Sequence, residues 1–214
     1  MKFECKNCGH CCSVFGDISK HLPLFEWEVE RYKKIADSRG IKLNFKPVQY
    51  LLDEKTQIVF VYLYGMTSEP CPFLKDGKCS IYSERALICG QFPLLWTAKF
   101  HIGNEFGASC FSECPNFNCK KEFGSKFYGK ESVSKIEIDK YLEETYGNCF
   151  EFALQSNAIG REMLEIIGKH DKDGDWKLKN ISESELKNYR VVPFLEFLKI
   201  GEFWDDIERI NQHL

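Results

Sequence analysis

No stretch of this chain approaches the run of about 18 apolar residues that marks a membrane-spanning helix. The start, Met1-Lys2-Phe3-Glu4-Cys5, also lacks the apolar leader of a secreted protein. The expectation is a cytoplasmic protein in a reducing compartment, where thiols stay free instead of pairing as disulfides. A large excess of either charge is missing too. A net charge of -3 gives no electrostatic reason to expect a nucleic acid or an anionic membrane as partner. There is no G-x-S-x-G, no phosphate-binding loop and no dinucleotide glycine fingerprint. The five histidines, at 10, 21, 101, 170 and 213, are scattered without ligand spacing. Repeats and low-complexity segments are absent as well.

Cysteine is what the chain has in excess. It holds eleven, an odd number that complete internal disulfide pairing cannot use. Ten of them precede residue 120, and four fall within Cys5-Lys6-Asn7-Cys8-Gly9-His10-Cys11-Cys12. Thiols two residues apart can point inward from one tight loop, and Gly9 lets the backbone turn there. Thiolate ligands select zinc, copper(I) or an iron–sulfur cluster over magnesium or calcium.

Local patterns give the elements. Glu26 to Arg39 reads as a helix with Trp27, Tyr32 and Ile35 as apolar positions, stopped by Gly40. Gln57 to Tyr64 is β-branched and aromatic, a strand whose partner is Val48 to Leu52 across the turn Asp53-Glu54-Lys55-Thr56. Asp76-Gly77 predicts a hairpin turn that brings Cys71 and Cys79 together, and Ser83 reads as the cap of a short helix ending near Cys89. Leu94 to Ile102 and Glu105 to Cys110 form a further strand pair, turning at Gly103-Asn104. The segment Cys110 to Cys119 then reads as a loop, followed by a lysine- and glycine-rich stretch to Gly129. From Ser134 the pattern is helical. Ile138, Tyr141, Leu142 and Thr145 share one face, Phe152, Ile159, Met163 and Ile166 lie on the next helix, and Ser182-Glu183-Ser184-Glu185 is a capping box. The expected fold is α+β: a small cysteine-rich metal-binding core with short antiparallel strands (1–130) and a helical C-terminal part packed on it (131–214).

Beyond the opening array come Cys71-Pro72-Phe73-Leu74, Gly77-Lys78-Cys79-Ser80-Ile81-Tyr82, Arg85, Cys89 and Phe92-Pro93. In type, order and spacing these residues resemble the CxxCxxCC cysteine-cluster family, a zinc- or iron-chelating domain. The resemblance covers residues 5 to 93, with Cys114-Pro115 similar to a later Cys-Pro element. It implies Cys5, Cys8, Cys11, Cys12, Cys71, Cys79 and Cys89 as metal ligands, and Cys114 as an eighth. Two positions depart from the pattern: Ala86 stands in place of proline, and Gly90 in place of arginine.

Seven or eight thiols exceed one four-coordinate site, so two centres are open; adjacent Cys11 and Cys12 leave the backbone in different directions, and one of them could serve a second centre or remain free. A cysteine-only set with Phe3, Phe15, Phe73, Phe92 and Phe111 nearby favours a [4Fe-4S] iron–sulfur centre, with zinc as the alternative. The pattern is also similar to part of the flagellin lysine N-methylases. Three functions stay open: an oxidoreductase or protein-modifying enzyme, a zinc-stapled module binding a protein partner, and a metal store or donor.

Weaker candidates read as structure. Asp171-Lys172-Asp173-Gly174-Asp175 starts like a calcium loop, but Gly174 comes one place early and Ser182 stands where the closing Glu belongs, so a polar turn is expected. Cys110, Cys114 and Cys119 could form a separate clamp, Cys149 reads as core, and His10 and His21 as solvated side chains. Lys120, Lys121, Lys126 and Lys130, interleaved with Phe123, Phe127 and Tyr128, read as a solvated loop more than a nucleic-acid surface.

Overall fold

In chain order the computed structural model contains α1 (His10–Ser13), β1 (Leu22–Leu24), α2 (Glu26–Ser38), β2 (Phe45–Asp53), β3 (Ile58–Met66), β4 (Leu74–Lys75) and β5 (Lys78–Cys79). There follow α3 (Leu87–Gln91), α4 (Cys119–Phe127), α5 (Lys135–Tyr146), α6 (Asn148–Asp173), β6 (Leu178–Lys179), β7 (Arg190–Pro193), α7 (Phe194–Ile200) and α8 (Trp204–Asn211). The structure describes residues 2–13, 22–68, 70–94, 114–127 and 133–214. The expected strand pair turning at Gly103-Asn104 lies outside the described residues, as do Phe15, His21, Cys110 and Phe111. The protein is α+β, as its sequence suggests. No helix among the described residues is long and apolar enough to cross a membrane.

Two compact units form, each from two separate stretches: Met1–Lys20 with Ser68–Asn157, and His21–Thr67 with Ala158–Leu214. The second unit is built on β3. Its sequence Ile-Val-Phe-Val has no polar alternation, and Val59, Phe60 and Val61 are fully buried, as befits a central strand covered on both faces. One edge of β3 pairs antiparallel with β2. The other edge is shared, parallel β7 taking Ile58 to Val61 and antiparallel β1 taking Tyr64 to Met66. Phe60 carries the packing, with ring centroids 4.7 Å from Phe197, 5.3 Å from Phe194 and 5.5 Å from Trp176. Asp53 is buried, and its carboxylate accepts bonds from Lys55 N, Thr56 N, Thr56 Oγ1 and Lys177 N, which closes the β2–β3 turn.

Three acidic residues of this unit, Asp171, Asp175 and Asp206, act as joints. Both ring nitrogens of buried His170 meet carboxylates, Nδ1 with Asp175 at 2.7 Å and Nε2 with Asp206 at 2.6 Å, while the ring stacks on Trp176 at 4.5 Å. Asp171 accepts from Leu178 N at 3.2 Å. Two acids of the calcium-like stretch are thus turned to protein partners, in keeping with a polar turn at the end of α6.

Glu26 opens α2 and accepts the backbone N–H of Leu195, in the first turn of α7, at 3.0 Å. Burial pushes its carboxyl up to about 7. Donation from Leu195 N–H and Phe194 N–H opposes this, as does Lys199, while Glu30 adds to it. A raised folded-state value means the neutral acid is preferred in the native protein. Its contribution is therefore complete below about 4.5 and is lost as pH rises through about 7. Glu26→Gln is expected to flatten this slope. The gap in unfolding free energy between the two proteins should change by about 2 kcal/mol between about pH 5 and pH 8, after allowance for the half-buried setting. Urea titrations at the two pH values check it, and parallel pH slopes would overturn it.

The cysteine-rich unit has an aromatic core: Phe3, Leu94, Cys119, Phe123, Phe127, Ile138, Leu142, Tyr146, Cys149, Phe150 and Ala153. The helix expected from Ser134 onward is α5, and Ser134 caps it, its hydroxyl accepting from Glu137 N at 3.2 Å while the Glu137 carboxylate returns to Ser134 N at 2.9 Å. Ile138, Leu142 and Thr145 are buried along the expected face. Cys149 is core as expected.

Two readings are corrected. The lysine-rich stretch after Cys119 is the helix α4, because Cys119, Phe123 and Phe127 recur at helical spacing and are all buried. Ser83 caps no helix. It lies inside the 3-10 turn Tyr82–Glu84, and extended Arg85 and Ala86 separate that turn from α3.

Candidate metal centre

The first loop turns through two residues in the left-handed region, Asn7 (φ 50) and Gly9 (φ 72). Asparagine tolerates this conformation and glycine adopts it freely. Asn7 then serves a second purpose, its Oδ1 accepting the N–H of Cys79 at 3.2 Å. Cys12 N–H donates to Gly9 O at 3.0 Å, closing the turn that starts α1, and Cys12 O accepts Cys71 N–H at 2.8 Å. Two of these bonds, Cys79 N–H to Asn7 Oδ1 and Cys71 N–H to Cys12 O, tie the N-terminal loop to the segment that carries Cys71 and Cys79. That segment is the predicted hairpin. Asp76 (φ 49) and Gly77 (φ 74) make its turn, and Leu74 pairs with Cys79.

These ties bring four thiols together around Cys12, whose side chain hydrogen-bonds those of Cys11, Cys71 and Cys79. Those bonds, with burial, hold the Cys12 thiol far above its ordinary value. The same bond from Cys12 is the main reason the Cys11 thiol falls to about 7. Burial opposes this, its backbone hydrogen bond assists, Cys79 opposes, and Arg85 assists. The Cys12 bond likewise lowers Cys71. Cys12 is thus the shared hydrogen-bond partner of the other three thiols, an arrangement in which bound metal would replace shared protons. Among the described residues no three His, Cys, Asp or Glu side chains already surround one point as metal ligands. The four sulfurs meet pairwise through Cys12.

The other predicted ligands stand elsewhere. Cys5 and Cys8 are exposed, while Cys89 and Cys114 are half-buried. The Tyr82 hydroxyl bonds Cys5. Cys89 sits on α3 beside Gly90, and His10 is exposed as expected. A Cβ on Gly90 would lie 2.5 Å from the Phe152 ring, so arginine has no room at this position. The cation comes instead from Arg85, stacked on Tyr82 with its guanidinium carbon 3.8 Å from the ring centroid and 5.4 Å from that of Phe152. Sequence reasoning missed the parts played by Asn7 and Arg85. The left-handed preference of asparagine within C-x2-C was the available clue for the first.

A donor set of thiols alone, drawn from a tight loop and a hairpin, defines a thiolate metal-binding protein. The chain belongs to the CxxCxxCC family, described as "Putative zinc- or iron-chelating domain", whose model matches residues 4–115, just over half of the sequence. No curated protein and no solved structure matches the chain.

Proposed function

We propose that the chain is a zinc-chelating module in which Cys11, Cys12, Cys71 and Cys79 hold one structural ion between the N-terminal loop and the β4–β5 hairpin. The observation that carries this reading is the contact of one thiol, Cys12, with three others. Bonds of about 2.3 Å from a tetrahedral zinc place its sulfurs about 3.8 Å apart, the separation at which thiols also share protons. In a [4Fe-4S] cubane each thiolate ends on a different iron, which asks for a wider spread of sulfurs. Zinc, when bound, neutralises thiolate charge and adds folding free energy.

The rest is done by the chain. Asn7 and Gly9 shape the loop, the Cys71 to Cys12 main-chain bond fixes its register against the hairpin segment, and Arg85 keeps a positive charge near Cys11. Such an ion is redox-silent, which favours a stapled scaffold over an electron carrier. Oxygen-free purification followed by zinc, iron and acid-labile sulfide analysis tests it. Zinc without sulfide is expected. Iron with matching sulfide and visible charge-transfer absorption would replace this reading with the cluster.

A further inference from the structure

One cavity of the cysteine-rich unit is lined by no cysteine. It is a surface groove of about 420 Å³, a volume in the range of small-molecule sites. Two helices form its walls, each through positions that share one helical face. Glu122, Ser125 and Lys126 stand at i, i+3 and i+4 on α4, and Tyr141, Glu144 and Thr145 stand at i, i+3 and i+4 on α5. Lys2 lines it too, and the bond from Phe3 N–H to Thr145 O at 2.7 Å ties that end of the chain to α5. Tyr141 is held in place by edge-on contacts of its ring with Phe123 at 5.8 Å and Phe127 at 5.2 Å. Its hydroxyl is buried beside Thr145 and Tyr146, yet it makes no well-formed hydrogen bond among the described residues. A polar ligand atom would meet that need.

The charges around the groove choose the ligand. Lys2 and Lys126 supply two cations and Glu122 and Glu144 two carboxylates, so the lining is neutral as a whole but charged at four points. Among the described residues no ion pair joins any of these four to another. Glu144 meets only Lys140, at 3.9 Å with both side chains exposed. Ser125 Oγ donates to Glu122 O at 2.8 Å, which leaves its lone pairs to accept. A ligand of one net charge would meet as many like charges as opposite ones. A ligand with an ammonium at one end and a carboxylate at the other satisfies both kinds. We propose that this groove binds a small zwitterion of the amino-acid class, its carboxylate met by Lys2 and Lys126, its ammonium by Glu122 and Glu144, and one polar atom by the Tyr141 hydroxyl. The site is independent of which metal the thiols hold, because none of them lines it.

Titration calorimetry on the full chain as purified tests it, with alanine and alanyl-alanine as probes that separate a free amino acid from a short peptide. Saturable one-to-one binding of at least one probe is expected. Its N-acetylated and methyl-ester forms each lose two charge contacts and should bind at least about tenfold more weakly. Glu122→Gln and Lys126→Gln each remove one contact and should weaken binding about fivefold, with circular dichroism and metal content unchanged. Tyr141→Phe keeps the ring contacts, so its melting temperature should hold while binding falls about fivefold. That split is one a purely structural hydroxyl would not give. No saturable binding of either probe to the folded native chain would overturn the proposal. So would equal affinity for the blocked probes, or undiminished binding by the Glu122 and Lys126 variants, since the four charges would then not read the ligand.

Discussion

On the zinc reading proposed above, replacing Cys12 with serine is expected to release the ion and destabilise the cysteine-rich unit in the same step. Each of the other three thiols, Cys11, Cys71 and Cys79, meets Cys12, so the hub is the one position whose loss uncouples all of them. A serine hydroxyl is a harder donor and stays protonated near neutral pH, so it cannot stand in for a thiolate on a soft cation. Changes one shell further out already cost 10–100-fold in metal affinity, and a ligand at the hub should cost well over about 100-fold. Structural zinc supplies roughly 10 kcal/mol in small domains, so its release removes more than the margin of an ordinary fold. Chelator competition and thermal melts measure the two effects. Cys149→Ala is the matched control. That thiol is buried among core residues, and its truncation should cost about 1–2 kcal/mol while the metal stays. Undiminished zinc affinity in the Cys12 variant would remove the hub from the ligand set.

The parts of this architecture that were legible in the sequence are those fixed by neighbours along the chain. Ile138, Leu142 and Thr145 announce α5 because they recur on one helical face, and Asp76-Gly77 announces its hairpin because the turn needs backbone angles that few residues accept. The ligand types were equally plain, since four cysteines in eight residues have few other uses. What pairs distant segments was not legible. Nothing in the periodicity of Arg190–Pro193 says that it lies parallel to the first half of β3, or that His21–Thr67 folds with the C-terminal stretch. The same holds inside the site. Which sulfurs gather on Cys12 depends on Cys71 N–H finding Cys12 O. Composition misled in one place. Lysines and glycines made Lys120–Gly129 look like a loop, whereas three buried residues at helical spacing, Cys119, Phe123 and Phe127, decide for α4.

Gly9→Ala is expected to damage metal binding although no ligand is touched. A methyl group there would sit 2.5 Å from Gly77 O and 2.7 Å from Leu74 Cδ1, and its backbone would be held at φ +72. The left-handed conformation alone costs an L-residue about 1–2 kcal/mol. The contact with the hairpin backbone adds an overpacking penalty of about 1–3 kcal/mol, because a carbonyl in a two-residue turn cannot step aside as a flexible side chain would. Relief comes only by parting the loop that carries Cys8 and Cys11 from the hairpin that carries Cys79, so affinity should fall together with stability. Gly77→Ala separates the two causes. Gly77 has nearly the same backbone angle, φ +74, but its missing Cβ faces open space, so this variant should lose only the conformational cost of about 1–2 kcal/mol and keep its metal. Chelator competition and urea midpoints on both variants decide. Equal losses would mean that backbone strain alone governs the loop, whereas a deficit confined to Gly9→Ala identifies the close approach of loop and hairpin as what positions the thiols.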